Sequence, residues 1–260
     1  MIVYMCKPTY FNVIHKNLNV HMSMEIPVDK KKALIQYNSL IYELHKHDVI
    51  IKYIPESPGL VDAVFAANAG VFIGPNTFVI SNFSAIPRIP ELYNIKDFFK
   101  RTYNIVDTYN KFEGAGDVLY SHNERILWLG YGFRTDVKVA SEINFPNLQT
   151  LELVDPRFYH LDTCFCPLKD YVMLYVPAFS GESFQKIVKE FDSRIICVSE
   201  EDAVNFACNS LYVSITSTLI GHKYSISLKE TLSSLGITTS ECDMSEFLKS
   251  GGSVKCCVLS

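Results

Sequence analysis

Three stretches of the chain alternate short apolar runs with turn residues in the way that predicts β-hairpins. Val71, Phe72 and Ile73 pass through Gly74-Pro75-Asn76 into Thr77, Phe78, Val79 and Ile80. Residues 117–120, 121–124 and 125–129 repeat the strand–turn–strand pattern, and residues 211–214 run into 215–220 through a less marked turn. Between them the period changes. Residues 30–47 place Leu34, Tyr37, Leu40, Ile41 and Leu44 at helical spacing, and residues 49–54 then read as a buried strand. Residues 182–191 form a second predicted helix leading into a strand at 195–198. Residues 225–235 form a third, stopped by Gly236. Residues 1–4 open the chain as a strand. The resulting rhythm, strand-strand-helix-strand about every 50 residues, is the mark of a cyclic or stacked array.

Composition limits what such an array can do. With 17 Phe and 15 Tyr in 260 residues the chain must bury a core, and no Pro/Gly/Ser-rich linker divides it, so residues 1–260 are expected to form one domain. There are 24 basic and 28 acidic side chains, a net charge of −4, and no basic stripe. Lys30-Lys31-Lys32 reads as the solvated start of a helix, so a nucleic-acid partner is not expected. No apolar run reaches the roughly 18 residues needed to cross a membrane. The N-terminus lacks the charged start of a signal peptide, and eight Cys without one point to reduced thiols and a cytoplasmic location.

Four segments join reactive side chains to glycines or turns. Residues 62–70 form a small-residue loop carrying Asn68, which also reads as a plain turn. In residues 112–117, Glu113 and Asp117 flank Gly-Ala-Gly. This is no dinucleotide fingerprint, since the strand follows the glycines instead of preceding them. In residues 158–166, strand alternation would put His160, Asp162 and Cys164 on one face, a candidate acid/base beside a carboxylate. The spacing of Cys164 and Cys166 is wrong for a zinc knuckle. Residues 251–257 deliver Cys256 from a Gly-Gly turn, with Lys255 placed to favour a thiolate if the side chains converge. Singly, each segment also fits a turn or a buried core. Together, a Cys, a His and a Glu far apart in sequence fit a thiol-nucleophile site.

In this order the segments resemble the guanidine-modifying superfamily of arginine deiminases, dimethylarginine hydrolases, amidinotransferases and arginine dihydrolases. The resemblance runs from Met5-Cys6-Lys7-Pro8 to Cys256. Residues 65–69, 112–117 and 159–168 are most similar to the arginine dihydrolases of cyanobacteria, where this domain is often fused to a second one. The resemblance implies an α/β fold, the pentein propeller of five ββαβ units around a pseudo-fivefold axis, with the site in the central channel.

It also implies roles. Cys256 is the nucleophile, His160 the acid/base, and Glu113 completes the triad. Asp162, and with it Asp117, would hold the guanidinium nitrogens. Arg134 and Arg88 would grip the substrate carboxylate, and Asn19 would line the same end of the pocket. A thiolate would add to the guanidinium carbon and leave an S-alkylthiouronium for water to hydrolyse, with no metal or organic cofactor. Asn68 stands where deiminases carry Asp. A neutral amide can hydrogen-bond a ureido oxygen that a carboxylate repels, so citrulline would be held and cleaved again to ornithine, carbon dioxide and ammonia. The other readings are a deiminase or dimethylarginine hydrolase that stops at citrulline, an amidinotransferase, and a non-catalytic scaffold of the same fold. The expected partner is a small molecule, L-arginine or a close derivative such as N-succinylarginine; a homo-oligomer stays open.

Overall fold

The computed structural model describes residues 1–15, 18–121 and 126–260. Its strands form five small sheets, and four of these share one plan. After β1 (Ile2–Met5), helix α1 (Lys30–Lys46) and β2 (Ile50–Tyr53), the first full unit is β3 (Gly70–Ile73), β4 (Thr77–Ile80), α2 (Glu91–Phe99) and β5 (Asn104–Val106). The second is β6 (Val118–Ser121), β7 (Ile126–Tyr131), a 3-10 turn at Val137–Ser141 where the others have a helix, and β8 (Leu148–Glu152). The third is β9 (Phe165–Pro167), β10 (Val172–Leu174), α3 (Gly181–Phe191) and β11 (Ile195–Cys197). Following the short α4 (Glu200–Val204), the fourth is β12 (Leu211–Val213), β13 (Thr218–Gly221), α5 (Ile226–Ser234) and β14 (Thr238–Glu241); α6 (Ser245–Leu248) leads to the C-terminal segment.

In each full unit the first two strands pair antiparallel as a hairpin, and the second then pairs parallel with the third across the crossover. The fifth unit is assembled from both ends of the chain. β1 and β2 pair in parallel around α1, and Leu259 bridges antiparallel to Tyr4, with Tyr4 N–H donating to Leu259 O at 2.7 Å and Leu259 N–H returning to Tyr4 O at 3.0 Å. The C-terminal segment thus plays the first-strand role for β1. Five units of one topology are the pentein arrangement, and the first strands β3, β6, β9 and β12 line a common apolar cavity.

The predicted hairpins at 71–80 and 211–220 are present. For 117–129 the strands pair with Ser121 opposite Ile126, while the turn lies mostly outside the described residues. Helix starts are fixed by capping: the Asp29 carboxylate accepts from the N–H groups of Lys31 and Lys32, and Ser180, Ser199 and Ser225 cap α3, α4 and α5. Gly236 closes the α5 turn at φ 74°, in the left-handed region that favours glycine.

Three expectations change. The buried face of α1 is Ala33, Gln36, Tyr37, Leu40 and Leu44, while Leu34 is half exposed, because Gln36 docks by hydrogen bonds to Ser245 Oγ and Glu246 N–H. The strand at 49–54 is an edge: Val49 and Ile54 are buried, but Ile50 and Tyr53 face outward because β2 pairs only with β1. Residues 158–166 are not one strand. His160 is extended, residues 161–163 make a 3-10 turn, and β9 begins at Phe165. Nearly every side chain in that segment is buried, so its apolar pattern carries no period.

Candidate active site

Each first strand is entered through a tight turn, and these turns meet. They are Ala66–Ala69 before β3, Gly114–Gly116 before β6, Leu161–Thr163 before β9, residues 206–209 before β12, and Lys255–Cys257 before the Leu259 bridge. The repeat therefore delivers Asn68, Glu113, His160, Asn209 and Cys256 to one place from five directions. Two glycines make the approach possible. Gly114 sits at φ 60°, and a Cβ there would lie 2.7–2.8 Å from backbone atoms of Gly70 and Ala67. A Cβ on Gly116 would collide with the Asn68 amide nitrogen.

Glu113 is fully buried and well satisfied. It accepts from the N–H groups of Ser84 (3.0 Å) and Ala85 (3.2 Å) and from Arg134 Nη1 at 3.2 Å, and its Oε2 meets His160 Nε2 at 2.8 Å. Burial alone would raise its pKa, but the His160 hydrogen bond and the Arg134 charge hold it well below the usual carboxylate range. With Nε2 occupied, His160 Nδ1 is buried without a hydrogen-bond partner and is the ring nitrogen open to proton transfer.

Across the cleft, Cys256 Sγ lies 3.5 Å and 3.8 Å from the two carboxylate oxygens of Asp162 and 3.1 Å from Asn209 Nδ2. Burial, then the Asp162 charge, push the thiol well up. Burial pushes Asp162 up to about 7, with the Lys255 charge as the main offset. Lys255 does not hydrogen-bond the thiol: its Nζ turns to Val258 O at 3.2 Å, while its positive charge acts on both Asp162 and Cys256. Cys164, expected on the His160 face, belongs to the apolar core, where its thiol faces the carbonyls of His160 and Leu161.

The small cleft is lined by Leu18, Asn19, Asn68, Arg88, Arg134, His160 and Cys256, together with Asp62, Phe65, Tyr159 and Ser250. Asn19 donates to Ser250 O (3.0 Å) and accepts from His21 N–H (2.9 Å). Arg134 stacks over the Tyr159 ring at 4.9 Å, donates to Leu18 O and reaches Glu113. Arg88 is more occupied than a carboxylate grip would be. It makes a bidentate pair with Glu91 (2.9 Å each), donates to Asp62 O and Phe65 O, and gives Nη1 to Asn68 Oδ1 at 2.7 Å. Of its five N–H groups, one on Nη1 is not used by these partners, and Arg88 lines the cleft.

Asp117 departs from the expected guanidinium contact. One oxygen accepts from Thr135 Oγ1 (2.6 Å) and the other from Leu161 N–H (3.0 Å), so it fixes the turn carrying His160, and burial pushes it up to about 6.

Asn209, Asp62 and Glu91 are missing from the sequence-based site. Asn209 could have been found from the repeat, since it enters the fourth hairpin as Asn68 enters the first, two residues before the strand. Glu91 stands three residues after Arg88, one helical turn away.

A family model for eukaryotic N,N-dimethylarginine dimethylhydrolase matches residues 8–260. The chain belongs to this family. The chain is 37% identical over 98% of its length to the bifunctional arginine dihydrolase/ornithine cyclodeaminase AgrE of Nostoc sp.. It is 34% identical to the N(G),N(G)-dimethylarginine dimethylaminohydrolase of Mycobacterium tuberculosis, spanning 98% of this chain and 84% of that enzyme. The N-terminal domain of ArgZ, a cyanobacterial arginine dihydrolase solved with substrate bound, matches with a TM-score of 0.94 at 35% identity, covering 99% of this chain and 97% of that one. The chain spans only 37% of the length of AgrE.

Proposed function

We propose that this protein is an arginine dihydrolase, converting L-arginine and two waters to ornithine, carbon dioxide and two ammonia, and that residues 1–260 form its catalytic domain. Asn68 carries the reading. Two donors cannot face each other, so the Arg88 N–H at 2.7 Å from Oδ1 fixes the amide with its NH₂ toward Glu113 O (3.3 Å) and the cleft. A fixed neutral donor there can bind the ureido oxygen of citrulline. An aspartate would present an anionic oxygen at the same point.

The remaining groups supply the chemistry. The guanidinium settles beside Asp162, which draws the carboxyl into its ionised form, and the incoming positive charge favours the Cys256 thiolate. Sγ adds to the guanidinium carbon, and His160, oriented by Glu113, protonates the departing ammonia. Water, deprotonated by His160, then displaces the sulfur and leaves citrulline. In the second round Sγ adds to the ureido carbon and expels the δ-nitrogen as ornithine, protonated by His160. Water then hydrolyses the S-carbamoyl cysteine to carbamic acid, which breaks down to carbon dioxide and the second ammonia. Arg134, Asn19 and the remaining N–H of Arg88 hold the substrate carboxylate, and buried Asp62 provides an anionic partner for a free α-ammonium. All these groups come from one chain, and a buried, reactive Cys256 next to Cys257 fits a reducing, cytoplasmic setting. The cleft as it stands holds about 20 Å³, room for about one water. Arginine therefore enters only when groups lining the cleft move outward.

Dimethylarginine hydrolysis is the second reading, favoured by the family description and the mycobacterial relative. Incubating the protein with L-arginine, N,N-dimethyl-L-arginine and N-succinyl-L-arginine in parallel separates the readings. Ammonia from arginine, with no dimethylamine from the methylated substrate, supports the proposal. Dimethylamine release with arginine inert overturns it.

A further inference from the structure

Asn209 is wholly buried, and its amide is saturated in one orientation only. Oδ1 accepts from the backbone N–H groups of Ser253 (3.1 Å) and Cys256 (3.2 Å). Two donors at that atom leave no choice between oxygen and nitrogen, so the NH₂ end must face the other way, donating to Asp162 O (3.1 Å) and to Cys256 Sγ (3.1 Å). The turn that presents Asn209 is built at a cost: Phe206, bulky and buried, sits at φ 60°, in the left-handed region. The Asn209 N–H closes that turn on Phe206 O at 3.0 Å. The sulfur is otherwise faced by the Asp162 carboxylate, which opposes its ionisation, by the Ser253 backbone, whose hydrogen bond favours it, and by the nearby charge of Lys255.

We infer that Asn209 is a further catalytic residue, the donor that holds negative charge on Cys256 Sγ during attack and again when the sulfur departs. This rests on the reading of Cys256 as nucleophile. The carboxamide acts twice: its oxygen ties the Gly-Gly turn to the fourth unit, and its nitrogen serves the sulfur. The two actions can be separated. Asn209→Asp keeps an oxygen for the Ser253 and Cys256 N–H groups but replaces the donor to sulfur by an anionic oxygen.

The test is the pH dependence of Cys256 alkylation by iodoacetamide, followed on the Cys256 peptide by mass spectrometry, beside arginine turnover and a melting curve. For Asn209→Asp the midpoint should move up by about one pH unit or more, and alkylation and kcat at neutral pH should each fall about tenfold to a hundredfold, the range for a hydrogen bond to a charged group. The same upward shift, smaller, is expected of Asn209→Ser, which decides the matter if the Asp variant does not fold. A wild-type midpoint in a folded variant of either kind overturns the inference and leaves Asn209 a tie for the loop. Undiminished arginine turnover by Cys256→Ser would instead overturn the nucleophile assignment, whatever Asn209 does.

Discussion

Two buried carboxylates on opposite sides of the cleft show what this site lacks and therefore what it takes. Glu113 accepts from two backbone N–H groups, an arginine and a histidine, and stays ionised although fully buried. Asp162 is equally buried, but its side-chain oxygens meet a thiol at 3.5 Å and 3.8 Å, and burial pushes it up to about 7. One anion is already compensated and serves to orient His160. The other is offset mainly by the charge of Lys255, whose Nζ is hydrogen-bonded to Val258 O, and it stands next to the nucleophile. Environments that drive two carboxyl groups apart in this way commonly mark a division of labour in an active site. A positive charge would complete Asp162, and the guanidinium of the proposed substrate carries one.

The contrast is broken most severely at its compensated end. Glu113→Gln should lower kcat by about 10³–10⁴, because His160 loses its orienting acceptor and its proton-transfer role. Steady-state kinetics on L-arginine, with a melting curve to confirm folding, measure it. Asp162→Asn should lower kcat/KM by about 10²–10³, the effect of removing one partner of a desolvated charge pair, with much of the loss in KM. If both substitutions cost the same in kcat and neither changes KM, the two carboxylates do not divide the work.

A smaller effect is read from pH. Asp162 must ionise to hold a guanidinium, so its titration should add to kcat/KM a limb that rises about tenfold per pH unit below about 7, and Asp162→Asn should lose this limb. Stability should move oppositely. Because the folded pKa of Asp162 lies above its unfolded value of about 4, the folded state binds more protons between about 4 and about 7, and this group's contribution to stability falls as pH rises through that window. Glu113 has the reverse sign: its contribution is full above about 4 and is lost as pH falls toward its depressed folded value. Melting curves of wild type and Asp162→Asn between about pH 4 and about pH 7, and of wild type and Glu113→Gln below about pH 4, test the two signs.

Outside the pair, Glu91→Gln should destabilise the protein by about 3 kcal/mol, since it strips the buried Arg88 of its bidentate partner at 2.9 Å. Chemical denaturation measures it. The same substitution loosens the Arg88 guanidinium that orients Asn68, so citrulline should appear in the product.

The parts of the site legible in the sequence were those where a reactive side chain shares a segment with small residues. Glu113 beside Gly-Ala-Gly and Cys256 after Gly-Gly stand out because close backbone approach needs glycine. The hairpins and capped helices were legible because half of each faces water and so shows a period. Residues 158–166 read as one strand in the sequence because burial on all sides erases the period, and a 3-10 turn then looks like alternation. The direction of Lys255 and the double engagement of Asp117 are set by contacts from other units, which local spacing does not encode. Asn209 stands alone in an unremarked turn, and only its position in the repeat marks it.

The most direct test of the account is the ratio of products from L-arginine for wild type and Asn68→Asp, with ornithine, citrulline and ammonia quantified together. Two ammonia per ornithine with little free citrulline for wild type, and a shift toward one ammonia per citrulline for Asn68→Asp, is the predicted outcome. One ammonia per citrulline from wild type, or an ornithine yield unchanged by Asn68→Asp, would contradict it.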